Sequence, residues 1–308
     1  MTAADKELLS ATPVLTVLEP RDIIARMATF LTILSFLAKL VIGLVSLTVL
    51  LSFAVAWYER ANSQPELIER RFTGRGIRLS LWLMFQETAC LLFLLVLSPL
   101  GWTNPKTRFL ETGDNPPVIL LHGLFQNRAC LYWMQAQLKR NGFRNVLTIN
   151  TPPWRNLETL TEILARKIDE VRILHKVEKV HLVGHSMGGM IARNYIQRRG
   201  GSPRVDCCIT LGSPHYGSKL APFAISQLGK ALLPGSAFLE QLNAAEKPIE
   251  SRVVAIYTRH DNIVLPATNA RLATADAWVE LDGMGHTALL FHPRSIRAII
   301  DQLRNTGP

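Results

Sequence analysis

Two long apolar runs occupy much of the first hundred residues. Residues 27–57 carry one charge, at Lys39, and residues 79–100 carry one charge, at Glu87. Each run exceeds the about 20 apolar residues that a helix needs to cross a bilayer. Aromatic rings favour the membrane interface, and four lie at or near the run ends: Trp57, Tyr58, Trp82 and Trp102. The pattern predicts an anchor of two transmembrane helices, at about 28–57 and 79–100.

Each run leaves one alternative open. Gln86 and Glu87 are costly in lipid, so the second run could instead be a buried helix of a soluble domain. Residues 54–56 of the first run resemble a signal-peptidase site. However, the leader before it is long and mixed in charge, and the run exceeds the ~7–15 apolar residues of a signal peptide. We therefore expect an uncleaved anchor.

Basic residues beside the runs predict the orientation of this anchor. The loop at 58–78 contains five Lys or Arg residues, the leader before Met27 contains three, and the segment just after Leu100 contains two. Cytoplasmic loops carry an excess of such residues. We therefore expect the loop in the cytoplasm of a bacterial cell, the anchor in the inner membrane, and the rest of the chain on the periplasmic side.

After residue 101, short apolar strands alternate with amphipathic helices. The pattern predicts strands at 117–121, 145–149, 177–183, 205–211, 252–257 and 277–281. It predicts helices at 130–141, 157–175, 187–199 and 291–303. This alternation is typical of an α/β fold, in which helices cover both faces of a mostly parallel sheet. We expect a membrane-anchoring region at 1–104 and an α/β domain at 105–308.

Composition and charge narrow the functional classes. The chain is 48% hydrophobic and 19% charged, which excludes a disordered protein. Of the net charge of +10, +9 falls after residue 100, which suits an anionic membrane surface. Four arginines lie on one predicted helix and in the segment just after it: Arg193, Arg198, Arg199 and Arg204. No aromatic stacking motif accompanies them. We interpret them as a solvated face or a lipid contact, and predict no nucleic-acid partner.

A strand, a glycine turn and a helix follow one another around Ser186. Gly184 and Gly188 complete the pattern G-x-S-x-G. Such a turn holds the serine in a strained conformation, and only glycines let the strand and the helix pass so closely. Ser186 is therefore the candidate nucleophile, and the Met187 N–H at the helix start is a candidate oxyanion donor. An ordinary glycine-rich connection is the alternative.

A serine nucleophile needs a base and an acid that orients the base. Two later loops follow predicted strands and supply Asp261 and then His286, in the order of acid and base that accompanies such a turn. The alternatives left open are His292 as the base, and Asp276 or Asp282 as the acid. His185 is expected to point away from the base.

The first predicted strand of the α/β domain ends in a His-Gly turn. His122 and Gly123 precede Leu124 and Phe125. A turn at this position directs the N–H of Leu124 into the site, where it would pair with the Met187 N–H to bind an oxyanion. The four cysteines show no metal-ligand spacing, and we predict neither a metal nor a cofactor. The sequence leaves the oligomeric state open.

Together these motifs resemble the bacterial triacylglycerol lipase and esterase branch of the α/β-hydrolases, near the GPI inositol-deacylase-like subgroup. The resemblance covers about residues 115–300 and includes the motifs at 122–124, 184–189, 212–218, 233–239 and 285–286, and the Asp261 loop. It implies an α/β-hydrolase fold and an enzyme that cleaves acyl or lipid esters through Ser186, His286 and Asp261. With the anchor that the apolar runs predict, we expect a membrane-anchored enzyme.

The resemblance also implies a place for the substrate. Residues 220–242 would form a lid or an acyl-binding wall, with core packing as the alternative. The residues expected to contact substrate are His122, Gly123, Phe125, Tyr216 and Phe223. Acyl transfer, or thioester or amide cleavage, would use the same triad, and an inactive membrane scaffold is the alternative from another class.

Overall fold

The computed structural model describes residues 20–63, 73–102, 115–245 and 249–305. It divides into two compact units, residues 1–44 and residues 45–308. The expected boundary between residues 104 and 105 lies outside the described residues, as does part of the basic loop used to orient the anchor. The division at that boundary and the sidedness of the membrane therefore stay predictions.

Both apolar runs form helices that are long enough to cross a bilayer. Helix α1 spans Pro20–Ser63 and α2 spans Gly74–Leu97, followed by a 3₁₀ turn at Ser98–Trp102. Length and composition make both helices candidate membrane spans. Within the second unit, Val49 and Phe53 of α1 pack with Leu83 of α2. The sequence left open that the second run is a buried helix. The structure buries one face of α2, at Leu83 and Glu87.

A six-stranded sheet forms the centre of the second unit. The strands are β1 Val118–Leu121, β2 Val146–Ile149, β3 Val180–His185, β4 Val205–Leu211, β5 Arg252–Thr258 and β6 Ala277–Leu281. All of these described strands pair in parallel, in the order β2-β1-β3-β4-β5-β6. The predicted strands are confirmed to within three residues at each end.

Helices cover both faces of this sheet. They are α3 Tyr132–Arg140, α4 Leu157–His175, α5 Met187–Arg198, α6 Gln227–Ala231, α7 Ala237–Asn243 and α8 Pro293–Arg304. Alternate residues of a strand point to opposite faces. Accordingly, Ile119 and Leu121 pack with α4 and α5, whereas Val118 and Leu120 pack with α3 and α8. Burial on both faces explains why β1 is entirely apolar.

The strand order reverses at β1, which has β2 on one side and β3 on the other. In open α/β sheets, ligands bind in the crevice outside the carboxyl ends of the strands at such a reversal. Strand β1 ends at Leu121 and β3 ends at His185. The His-Gly turn and the serine turn therefore both open into this crevice.

The arginines near the end of α5 do not form one solvated face. Arg193 is 2% exposed, and its Nη2 donates to the Leu242 carbonyl of α7 at 3.4 Å. The expectation was wrong for Arg193, because α7 packs against that side of α5. The other three pair with surface acids: Arg198 and Arg199 with Glu158, and Arg204 with Asp169.

Candidate active site

Ser186 lies at the turn between β3 and α5. Its φ of 54° and ψ of −122° place a residue with a side chain in a sparsely populated backbone region. The Ser186 N–H donates to the Leu211 carbonyl at the end of β4, at 2.8 Å. Ser186 is therefore held in a strained conformation by a hydrogen bond to the neighbouring strand.

The glycines beside Ser186 allow the close passage of β3 and α5. A Cβ on Gly184 would lie 2.4 Å from the Gly188 carbonyl carbon, and a Cβ on Gly188 would lie 2.5 Å from the Leu121 carbonyl oxygen. Both contacts are with backbone atoms, which cannot move aside as the end of a side chain can. The turn therefore excludes a side chain at both positions.

We expect Gly184→Ala to destabilise the protein by about 1–3 kcal/mol or more, because the methyl group would push the helix away from the sheet. The measurement is denaturant unfolding of the detergent-solubilised full chain. Gly74→Ala is the matched control, since a Cβ at Gly74 meets nothing within 4 Å. Equal stability of the two variants would contradict the steric argument.

The His-Gly turn after β1 lies directly beside Ser186. A Cβ on Gly123 would lie 3.1 Å from the Ser186 Cβ. Leu124 follows in this turn, and Met187 is the first residue of α5, where backbone N–H groups have no partner within the helix. The structure thus brings the two segments that carry the candidate oxyanion donors to the same place.

Both ring nitrogens of His122 form hydrogen bonds to backbone groups. Its Nε2 accepts a hydrogen bond from the Thr151 N–H at 2.9 Å, so its Nδ1–H is the group that donates to the Gly123 carbonyl, at 2.8 Å. Burial lowers the pKa of His122 to about 4, so the ring is neutral. With both nitrogens used and 1% of the residue exposed, His122 fits a role in shaping the turn better than the expected contact with substrate.

His286 and Asp261 form a buried pair. His286 Nδ1 lies 2.9 Å from Asp261 Oδ2. The other oxygen of Asp261 accepts from the N–H groups of Ile263 and Val264, both at 2.8 Å. Because the carboxylate accepts at Nδ1, the neutral ring carries its proton there and its Nε2 has a free lone pair. The pair has the arrangement of a general base held by an acid.

The alternative residues are engaged elsewhere. His292 Nδ1 accepts from the Arg294 N–H at the start of α8, at 3.2 Å. Asp282 forms an exposed ion pair with Arg294 at 2.7 Å, and Asp276 accepts from the Val253 N–H at 2.6 Å. The contact with His286 therefore favours Asp261 over both alternative acids.

Two contacts bring His286 next to the serine turn. A Cβ on Gly212, which follows Leu211, would lie 3.3 Å from His286 Nδ1. The rings of His185 and His286 lie 4.8 Å apart, and His185 Nε2 lies 3.2 Å from the His286 carbonyl oxygen. Within the described residues no hydrogen bond joins Ser186 Oγ to His286. Such bonds are often long before substrate binds.

The expected direction of His185 was wrong. Strand β3 continues through His185, so this side chain shares a face with Val183. Val183 packs in the same core cluster as Ala288 and Leu289, which follow His286. Burial, reinforced by the charge of His286, holds the pKa of His185 well below its usual value, so the neutral ring donates from Nε2 to the His286 carbonyl.

The segment expected to hold an acyl chain has two parts. Four of its leucines are buried in the core: Leu228, Leu232, Leu239 and Leu242. Phe223 is 76% exposed, as is Phe125 at 64%. The hydroxyl of Tyr216 accepts from the Ala273 N–H at 3.1 Å. Core packing therefore accounts for the helices of this segment, and the role of the aromatic residues in substrate binding stays a prediction.

A family model described as the alpha/beta hydrolase fold matches residues 116–232. The chain has the α/β-hydrolase fold. The resemblance that the sequence showed is therefore confirmed at the level of the superfamily. The match contains the His-Gly turn and Ser186 but ends before Asp261 and His286. The placement of these two residues therefore depends on the geometry described above.

Similar proteins include lipases. The sn-1-specific diacylglycerol lipase ABHD11 of Danio rerio is 32% identical over 88 residues, which is 26% of each chain. The match thus spans about a quarter of that relative's length. The mature lipase BlEst2 of Bacillus licheniformis superposes with a TM-score of 0.57 at 20% identity, over 63% of this chain and 94% of that chain. Lipase B of Aspergillus fumigatus gives 0.55 at 17% identity, over 66% and 56%.

One residue beside the site escaped the sequence analysis as a functional candidate. Glu87, the single acid of the second apolar run, accepts hydrogen bonds from the N–H groups of the two residues that follow His286. An isolated ionisable group in a long apolar helix is itself a signal of function. The sequence alone shows that such a group is costly in lipid, but it does not show which partner the group has.

Proposed function

We propose that this protein is a serine hydrolase that cleaves carboxylic esters of lipids while attached to a membrane by its N-terminal helices. The observation that carries the proposal is the buried His286–Asp261 pair at 2.9 Å beside a strained serine turn. A serine in a strained turn at the carboxyl end of an inner parallel strand is typical of nucleophiles in this fold.

Ser186 Oγ attacks the ester carbonyl carbon, and His286 Nε2 takes the hydroxyl proton. The carbonyl oxygen becomes an oxyanion, which the N–H groups of Leu124 and Met187 bind. His286 returns the proton to the leaving alcohol, so that an acyl-Ser186 ester remains. A water molecule then gives its proton to His286 and attacks this ester, and the proton returns to Ser186 as the free acid leaves.

A lipid ester is the substrate class that the surroundings favour. Phe125 and Phe223 expose large rings on loops that follow β1 and β4. The described N-terminal helices also expose many large apolar side chains. Large exposed apolar surface marks contacts with membranes or partners. The lipases among the similar proteins support the same substrate class.

The test is hydrolysis of p-nitrophenyl esters by the detergent-solubilised full chain, together with a fluorophosphonate label located by mass spectrometry. We expect turnover and a label on Ser186. Preference for long acyl chains would identify a lipase, and preference for short chains an esterase. A protein that neither turns over any ester nor takes up the label would contradict the proposed function.

We expect kcat/KM to fall as the pH decreases, with an apparent pKa above 6.5. Burial lowers the pKa of His286, but the charge and hydrogen bond of Asp261, together with the charge of Glu87, raise it overall above the usual 6.5. Catalysis needs the unprotonated ring, so activity is lost as the pH falls through this raised value. A pH–rate profile measures it, and an acid limb at or below 6.5 would contradict the assignment.

A further inference from the structure

We propose that Glu87 is a positioning residue for His286, so that a carboxylate in the second apolar helix holds the loop of the catalytic base. The inference rests on the proposed function, because it assigns a role within the same site. It gives α2 a part in catalysis in addition to any part in membrane attachment.

The contacts of Glu87 are with the backbone directly after His286. Glu87 Oε2 accepts from the Thr287 N–H at 3.0 Å, and Oε1 accepts from the Ala288 N–H at 2.8 Å. These residues begin the 3₁₀ helix Thr287–Leu290, whose first N–H groups have no partner within the helix. Glu87 is 0% exposed. Its carboxylate therefore uses both oxygens to cap the turn that begins at the base.

The residue before His286 is shaped by the same contact. A Cβ on Gly285 would lie 2.5 Å from both Cγ and Oε1 of Glu87. Any side chain at position 285 would therefore displace the carboxylate or the loop. The close approach of α2 therefore explains why a glycine precedes His286.

Helix α1 supports the other side of His286. Asn262, next to Asp261, accepts from the His286 N–H at 3.1 Å and donates from Nδ2 to Ser52 Oγ of α1 at 2.8 Å. Both Asn262 and Ser52 are buried. The backbone N–H groups at three consecutive positions, 286 to 288, are thus all bonded to side chains, and two of the three bonds come from Glu87.

A membrane anchor alone does not require this arrangement. Burying a carboxylate is costly unless hydrogen bonds or charges compensate it. An apolar residue at position 87 would suit a helix that only enters lipid, and would leave the N–H groups of Thr287 and Ala288 without acceptors. The acid therefore fits the need to fix the loop, because small displacements of a catalytic group reduce its rate strongly.

The test is Glu87→Gln in the full chain. Glutamine has the same size but keeps only one acceptor, and its NH₂ group would face a backbone N–H. We expect kcat, counted per fluorophosphonate-labelled serine, to fall about 10- to 100-fold, with little change in KM. We also expect faster hydrogen exchange of the amides in segment 285–291, measured by mass spectrometry.

Glu59→Gln is the matched control. Glu59 is the acid of α1 that pairs with Lys219 at 2.6 Å, so the same substitution removes a carboxylate from the other apolar helix. Glu59 does not lie in the 285–291 segment or bond to it among the described contacts. We expect unchanged kcat per labelled serine and unchanged exchange in this segment.

The outcomes separate three situations. Unchanged exchange in Glu87→Gln, or faster exchange with unchanged kcat per labelled serine, would overturn the positioning role. If Glu87→Gln does not fold, Gly285→Ala replaces it, because a Cβ at 285 would displace the Glu87 carboxylate or the loop. We then expect a lower kcat per labelled serine and faster exchange in segment 285–291, and wild-type values of both would overturn the role. A wild-type protein without turnover or label would overturn the proposed function instead, and the exchange comparison would still show whether Glu87 holds the loop.

Discussion

Ser186→Ala is expected to lower kcat for ester hydrolysis by about 10⁶-fold, the scale found when the nucleophile of a Ser-His-Asp triad is removed. The reason is that no other hydroxyl occupies the strained turn next to the His-Gly segment. The variant should also lose the fluorophosphonate label. Both quantities are measured on detergent-solubilised full-length protein.

Ser213→Ala is a matched control for this substitution. Ser213 is buried on the loop after β4, and its Oγ has no hydrogen-bond partner among the described residues. Its removal therefore leaves no polar group unpaired, and we expect wild-type turnover. A Ser186→Ala protein with wild-type turnover would exclude Ser186 as the nucleophile.

Asp261→Asn is expected to lower kcat by about 10⁴-fold, because it reverses the hydrogen bond that sets the tautomer of His286. The N–H groups of Ile263 and Val264 both donate to Oδ1 of Asp261. In the variant they would draw the amide oxygen to that side and turn the NH₂ group towards His286 Nδ1. The ring would then carry its proton on Nε2 and could not accept one from Ser186.

The control for this effect is Asp282→Asn, which removes an exposed carboxylate paired with Arg294. We expect its kcat to equal that of the wild type. Steady-state kinetics of the two variants beside the wild type make the comparison. A wild-type kcat in Asp261→Asn would mean that the acid of the site is not Asp261.

Strand and helix positions could be predicted from the sequence because they depend on local periodicity. Strands β4 and β6 were predicted at their observed bounds. Strand β4 is a buried apolar run between turns, whereas β6 lies at the edge of the sheet and alternates half-buried and exposed positions. Strand ends in turn predict where candidate residues lie, because the carboxyl ends of parallel strands share one edge of the sheet. Ser186 and His286 could be singled out for this reason.

The sequence favoured Asp261 by its place after a strand and left Asp276 and Asp282 as alternatives. In the structure, the Asp261 carboxylate accepts hydrogen bonds from the N–H groups two and three residues later, as in an Asx turn. Such a turn orients one carboxylate oxygen and leaves the other for a partner. Asp276 and Asp282 make no such bonds to following N–H groups among the described contacts, so the structure separates the three acids.

Glu87 could not be assigned from periodicity, because its partners are about 200 positions away in the chain. A single acid in an apolar run has the same appearance whether it faces lipid, water or protein. The direction of His185 was missed for a related reason. Its ring follows the face of β3 that the loop after His286 covers, and the position of that loop depends on the tertiary fold.

The hydrogen bonds of Glu87 also restrict the motion of the His286 loop relative to α2. An enzyme tethered by a flexible stalk can search a volume around its attachment point. Here Glu87 is near the middle of α2, and α2 lies in the same compact unit as the sheet. In the proposed enzyme, Ser186 and His286 would therefore be fixed relative to α2, and the substrate would have to diffuse to them.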